Sequence, residues 1–157
     1  MAPKTRILIV EDHPLFREGL KTIIAENNDY EVVGEAGTEQ EGVEMARQLE
    51  PDLILVDISL PDRSGLELIR EIKQFAPTTP MLVISMHCKI DYIVKAFQAG
   101  AHGYITKETA SDKLLQGIDQ ILHGEYFMDT SVSHQVIQKL MGQSRQKNIR
   151  ADEGYDA

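Results

Sequence analysis

Short apolar runs alternate with amphipathic segments along the chain between Ile7 and Leu122. The apolar runs, which predict strands, read RILIV, YEVVGEA, DLILV, PMLVIS and HGYIT. Each run is followed by a segment whose apolar residues recur at the spacing of a helix. Because the runs largely lack an alternation of apolar and polar positions, both faces of the strands are expected to be buried. The five strand–helix repeats therefore predict an α/β fold, a doubly wound five-stranded parallel sheet covered by helices on both faces.

The pattern changes after the fifth predicted helix. We place one domain over residues 5–125 and a short C-terminal linker helix, which includes SVSHQVIQKLMG, over residues 129–143. Residues 144–157 are polar and show no hydrophobic period, so a disordered tail is predicted there.

The composition is that of a soluble globular protein with an acidic balance. The 25 Asp and Glu residues outnumber the 16 Lys and Arg residues and give a formal net charge of −9. A surface of that sign disfavours nucleic-acid binding by this chain alone. The single cysteine, Cys88, cannot form an internal disulfide and fits a reducing compartment. Neither a signal peptide nor an apolar stretch of membrane-spanning length is evident, so a cytoplasmic location without a membrane partner is predicted.

Acidic residues follow two of the predicted strands, at the edge where ligands bind in open α/β sheets. Glu11 and Asp12 end the first strand and Asp57 ends the third. Ser85 ends the fourth strand and Lys107 follows the fifth. Each residue alone has an ordinary structural explanation as a helix cap, a turn residue or a solvated lysine. Together they predict a functional site at this edge of the sheet.

The charges of this site predict a bound Mg²⁺. Two like charges about 5 Å apart repel by about 3 kcal/mol at an effective dielectric constant near 20. Lys107 offsets one of the three carboxylates, and a divalent cation would offset the other two. A few oxygen ligands suit Mg²⁺. Such a site favours phosphoryl chemistry, with Asp57 as the nucleophile that forms an acyl phosphate and with Lys107 and Ser85 holding the phosphoryl oxygens.

At these residues the sequence closely resembles the receiver domains of bacterial two-component response regulators, which have the CheY-like, flavodoxin-like fold. The matching motifs are Glu11-Asp12, Asp57 followed by Pro61 and Gly65, Ser85, and YITK ending in Lys107. The resemblance implies that Asp57 is the phosphoacceptor and that Lys107 contacts the phosphoryl group. It further implies that Glu11, Asp12, Asp57 and the backbone carbonyl of Ser59 hold Mg²⁺, and that Ser85 and Tyr104 are switch residues.

The stretches VEDHPLFREGL, ISMH and AGAHGYITKE more narrowly resemble the NarL/FixJ-type branch. This resemblance implies phosphorylation by a sensor histidine kinase, a role in transcription regulation, and pairing of two copies in a homodimer. Members of that branch bind DNA through a C-terminal helix-turn-helix domain. We expect no such domain in this chain, because too few residues follow Asp129 and none form a basic recognition helix.

Alternative functions are a stand-alone receiver that acts through protein contacts, a mononucleotide binder, and a phosphatase with an aspartate nucleophile. A mononucleotide binder needs a phosphate loop after the first strand, where this chain has EDHP. Such a phosphatase needs a general acid two residues after Asp57, where Ser59 stands, so a turnover enzyme is not expected. Met86 and His87 are candidates for tuning dephosphorylation, and ordinary packing or loop positions are their alternative explanation.

Overall fold

The computed structural model describes residues 3–60, 64–87 and 89–155, and the side chains of residues 143–155 are outside this description. Pro61 and Cys88, both noted in the sequence, lie outside the described residues. The strands are β1 (Thr5–Val10), β2 (Tyr30–Ala36), β3 (Leu53–Asp57), β4 (Met81–Ser85), β5 (Gly103–Thr106) and β6 (Phe127–Met128). The helices are α1 (Pro14–Ala25), α2 (Glu39–Leu49), α3 (Gly65–Phe75), α4 (Ile90–Ala99), α5 (Ala110–Leu122) and α6 (Thr130–Tyr155).

The strands form one parallel sheet in the order β2-β1-β3-β4-β5-β6. The chain moves outward from β1 to β2 and then returns across β1 to β3. The strand order therefore reverses between β1 and β3, and a crevice opens there at the carboxyl ends of these strands. This topology confirms the predicted α/β doubly wound fold.

Hydrophobic side chains fill both faces of the sheet. On one face Ile7 and Ile9 of β1 pack with residues of α1 and α5 such as Leu20 and Leu114. On the other face Leu8 and Val10 pack in a cluster that includes residues of α2, α3 and α4. These four consecutive side chains of β1 are all buried, which explains why the strand sequences lack a polar alternation.

The sheet has one strand more than the five predicted. β6 pairs in parallel with β5 through Gly103 and Phe127 and through Tyr104 and Met128. Two residues are too few to show any hydrophobic period, so the sequence pattern could not indicate this strand.

The last helix is longer than the predicted linker helix over residues 129–143. α6 begins at Thr130 and continues to Tyr155, through the segment 144–155 where disorder was expected. That segment contains no proline and several residues with good helix propensity, so a helix already nucleated at Thr130 can propagate through it. Residues 156 and 157 lie outside the described residues. Within the described part of the chain, no helix combines the length and the apolar character needed to span a membrane.

Candidate functional site

Asp57 lies at the carboxyl end of a central strand. β3 runs between β1 and β4, and Asp57 is its last residue, paired with Ile84. The side chain is buried, and its Oδ1 accepts a hydrogen bond of 3.0 Å from the amide of Ser59. The rigid sheet therefore fixes the position of this carboxylate, and the turn that follows fixes its orientation.

Gly65, the first residue of α3, packs directly against the end of β3. A Cβ atom at this position would lie 2.4 Å from the carbonyl oxygen of Asp57 and 2.8 Å from the Cα of Ile58. The amide of Gly65 donates to the carbonyl oxygen of Ile58 at 2.8 Å. The glycine in the motif is thus required because two backbone segments meet here.

The predicted acidic residues come together at the crevice, and a histidine joins them. Glu11, Asp12, His13 and Asp57 each offer a ligand atom, and these atoms lie within 4.8 Å of one another. Glu11 is only 2% exposed. The Nδ1 atom of His13 lies 3.2 Å from Oδ1 of Asp12 and 3.5 Å from Oε1 of Glu11. His13 was not among the predicted site residues, and its position directly after the acidic pair was the only signal in the sequence.

Lys107 reaches into this cluster from the turn after β5. Its Nζ atom lies 2.5 Å from Oε1 of Glu11 and 3.4 Å from Oδ2 of Asp57. The same atom lies 4.6 Å from the centre of the Phe16 ring, within the range of a cation–π contact. The lysine side chain is 8% exposed. Its ammonium group thus pairs with two of the clustered carboxylates.

The two central acids have shifted pKa values. Burial and a hydrogen bond with Asp57 raise the pKa of Glu11 to about 8, although Lys107 acts in the opposite direction. Burial opposes ionisation of Asp57, but the hydrogen bond with Glu11, the amide of Ser59 and the charge of Lys107 together lower its pKa. Burial and the neighbouring carboxylate thus favour the protonated form of Glu11.

The donor set of the cluster fits a hard divalent cation. Three of its four members offer carboxylate oxygens, which are the ligands that Mg²⁺ prefers in proteins. The Oε2 atom of Glu11 is buried and accepts no hydrogen bond from the described residues. A cation would give this oxygen a partner.

Ser85 and Ser59 occupy neighbouring positions at the same edge of the sheet. Ser85 ends β4, is fully buried, and is paired with Thr106 of β5. Its Oγ atom accepts a hydrogen bond of 3.0 Å from the amide of His87. Ser59 contributes its amide to Asp57, and the metal contact of its carbonyl group stays a prediction.

Tyr104 is buried on β5, and its hydroxyl group donates to the carbonyl oxygen of His87 at 2.8 Å. Because the amide of His87 donates to Ser85, the backbone of His87 connects the two predicted switch residues. The His87 ring stacks on Tyr92 at a centroid distance of 5.3 Å. Met86 is 68% exposed in the same loop. Sequence reasoning could not find this role of His87, because it depends on backbone atoms alone.

Comparison with known proteins shows the family. A sequence model of the response regulator receiver domain matches residues 7–119. The transcriptional regulatory protein DegU of Brevibacillus brevis is 35% identical over 136 residues, which cover 87% of this chain and 58% of that protein. The nitrate/nitrite response regulator protein NarL of Escherichia coli is 34% identical over 127 residues, which cover 81% and 59% of the two chains.

Solved structures agree with this result. A LuxR-family two-component response regulator from Aurantimonas sp. SI85-9A1 has a TM-score of 0.85 and 34% identity, over 88% of this chain and 99% of that one. The signal receiver domain of a NarL from Mycobacterium tuberculosis has a TM-score of 0.75 and 27% identity, over 79% and 100% of the two chains. The chain spans about three fifths of the length of DegU and NarL. It belongs to the response regulator receiver domain family, and its relatives are transcriptional regulators of the NarL and DegU type, as the resemblance of its motifs implied.

Proposed function

We propose that this protein is a phosphorylation-dependent switch of a two-component system. A sensor histidine kinase would supply the phosphoryl group, Asp57 would accept it, and the phosphorylated state would regulate a DNA-binding output domain. The observation that carries this proposal is the arrangement of Glu11, Asp12 and Asp57 within reach of Lys107 at the carboxyl edge of the sheet.

In the transfer step, a carboxylate oxygen of Asp57 attacks the phosphorus atom and an O–P bond forms. The P–N bond to the donor histidine breaks, and its electron pair returns to the imidazole ring of the kinase. Lys107 is placed to bind an equatorial phosphoryl oxygen, because its Nζ atom lies 3.4 Å from Oδ2 of Asp57. Mg²⁺ held by Glu11, Asp12, Asp57 and the Ser59 carbonyl would supply charge neutralisation during transfer.

The switch follows from the change in charge at Asp57. Phosphorylation raises the negative charge there from one to about two. Ser85 would then lose the hydrogen bond from the amide of His87, and its hydroxyl group would donate a hydrogen bond to a phosphoryl oxygen. Because Tyr104 donates to the carbonyl of the same His87, a shift of this residue reaches both side chains. A ligand that contacts one of two states more strongly moves the population toward that state.

The protein acts in this proposal as a phosphoacceptor with slow autodephosphorylation and not as a turnover enzyme. The position two residues after Asp57 holds Ser59, which cannot serve as the general acid of a phosphatase. Met86 is exposed beside the site and could restrict the approach of water. His87 would tune the lifetime through its backbone contacts. A cytoplasmic location and pairing of two copies remain predictions.

The test is to incubate the protein with Mg²⁺ and acetyl phosphate and to measure the mass of the intact chain. We expect one phosphoryl increment on the wild-type protein and none on Asp57→Asn. An increment on both proteins would show that Asp57 is not the acceptor. No increment on the wild type would contradict the proposal, and multiple-turnover release of phosphate would favour the phosphatase.

A further inference from the structure

Asp129 is a buried carboxylate outside the acidic cluster. It precedes α6, is 2% exposed, and accepts four hydrogen bonds. Oδ2 accepts from the amide of Thr106 at 2.8 Å and from the hydroxyl of Thr109 at 2.7 Å. Oδ1 accepts from the hydroxyl of Ser131 at 2.8 Å and from the amide of Val132 at 2.9 Å.

The two oxygens of Asp129 serve two different parts of the molecule. The bonds to Oδ1 cap the first turn of α6, a usual function of an aspartate at a helix start. The bonds to Oδ2 come from Thr106, which precedes the turn Lys107–Thr109 after β5, and from Thr109, the last residue of that turn, and capping does not require them. A carboxylate bound on both sides fixes the turn relative to the helix.

The turn held by Oδ2 is the one that carries Lys107. The Lys107 side chain extends from this backbone to Glu11 and Asp57, so the position of the turn determines where its Nζ atom lies. The other side of the connection is anchored in the core, because Val132 is fully buried in the cluster that also contains Tyr104. Asp129 thereby ties the Lys107 turn to a fixed point of the fold.

We propose that Asp129 is a positioning residue for phosphoryl transfer, which holds the Lys107 turn against the start of α6. This inference rests on the proposed function, because it assigns Lys107 the task of binding the phosphoryl group. It also connects α6 to the site, since loss of the first turn of α6 would release the carboxylate that holds the Lys107 turn.

The first experiment compares phosphorylation rates with acetyl phosphate and Mg²⁺. Asp129→Asn retains one oxygen that can cap α6 but places an amide group opposite the donors of Thr106 and Thr109. Thr109→Val removes the hydroxyl donor from the turn with little change in shape. We expect either variant to slow phosphorylation about tenfold, since a misplacement of about 1 Å can cost a hundredfold in rate.

Two control variants separate positioning from capping. Ser131→Ala removes a donor on the α6 side, and Thr38→Ala removes the cap of α2, where the Thr38 side chain accepts from the amide of Glu41 at 3.1 Å. We expect both controls to phosphorylate at nearly the wild-type rate. A rate loss in these controls equal to that of Asp129→Asn would mean that general destabilisation explains the effect and would overturn the proposal.

A double-mutant cycle tests whether Asp129 acts through Lys107. In a Lys107→Ala background, Asp129→Asn should change the remaining rate by less than twofold, because the group that it positions is absent. If Asp129→Asn slowed phosphorylation as much in the Lys107→Ala background as in the wild-type protein, the proposal would be overturned. A wild-type rate in Asp129→Asn and Thr109→Val would also overturn it.

Hydrogen exchange gives a readout that does not depend on phosphorylation. The amide of Thr106 should exchange at least about tenfold faster in Asp129→Asn, because its acceptor is lost, whereas exchange in the middle of β3 should not change. Unchanged exchange at Thr106 would overturn the positioning role. If wild-type protein takes up no phosphoryl group, the proposed function fails, and the exchange result still decides the structural claim separately.

Discussion

The acidic cluster is the feature in which single residues matter most. Glu11 and Asp57 are buried within contact distance of one another, and their ionisation is opposed by burial. The ammonium group of Lys107 relieves part of this cost, and the raised pKa of Glu11 favours its protonated form. Negative charge still remains in the cluster, because Asp12 belongs to it as well. This unbalanced charge supports the proposal that the cluster binds a divalent cation.

Replacing Lys107 tests whether its positive charge is needed to offset the buried carboxylates. We expect Lys107→Ala to lower the free energy of unfolding without Mg²⁺ by about 3 kcal/mol, because it leaves buried carboxylates without their cation. Addition of Mg²⁺ should recover much of the loss, and urea unfolding with Mg²⁺ or EDTA measures both quantities. The control is Lys21→Ala, which breaks ion pairs with Glu18 and Glu35 nearer the surface and should have a much smaller effect, because solvent screens those pairs. Equal losses of stability in Lys107→Ala and Lys21→Ala would mean that Lys107 does not specifically offset the charge of the buried carboxylates.

At the scale of the elements, the site depends on how closely α3 follows β3. Gly65→Ala would place a methyl group 2.4 Å from the carbonyl oxygen of Asp57, so one of two backbone segments must move. We expect a loss of about 2–3 kcal/mol in the free energy of unfolding, together with slower phosphorylation because Asp57 shifts. Chemical denaturation and the mass assay measure these effects.

Gly19→Ala is the matched control for this substitution. Gly19 lies within α1, and nothing stands within 4 Å of an added Cβ there. The change should stabilise the protein by about 0.5–1 kcal/mol, because alanine is the better helix former. A similar loss in both variants would mean that the close approach at Gly65 is not the cause.

Asp129, which connects the turn after β5 to the start of α6, should make the free energy of unfolding depend on pH in a specific way. Burial opposes ionisation of Asp129, but the hydrogen bonds from Thr106, Val132, Thr109 and Ser131 lower its pKa below the usual value of 3.8. A depressed pKa contributes stability that is present above the unfolded-state pKa and is lost as the pH falls through the folded-state pKa. Asp129→Asn should therefore be less stable than wild type at pH 7, and the difference should shrink below pH 4. Urea unfolding of the two proteins at both pH values measures this difference in stability. If the difference were the same at both pH values, the charge of Asp129 would not be its cause.

For the molecule as a whole, the sequence predicted those features that depend on periodicity or on residue type at strand ends. The strands up to β5 and the family are confirmed, and the structure places Asp57 beside Glu11, Asp12 and Lys107. Features that depend on three-dimensional contact were missed. Examples are the two-residue strand β6, the contact of His13 with the acids, and the double contact of Asp129, whose partners are up to 23 residues away. The helix over residues 144–155 was also missed, because its sequence has no apolar period to indicate it.

The net charge of −9 allows a final prediction that separates a metal site from general screening of an acidic protein. Any salt reduces self-repulsion, whereas a bound cation stabilises only the folded state, by about 2.7 kcal/mol at a concentration a hundredfold above its dissociation constant. We expect Mg²⁺ to raise the melting temperature more than NaCl of equal ionic strength. Asp12→Asn should reduce this extra rise and leave the NaCl effect unchanged, because Asp12 belongs to the cluster but is a small part of the total charge. Equal shifts with the two salts in calorimetry would mean that the cluster does not bind the cation.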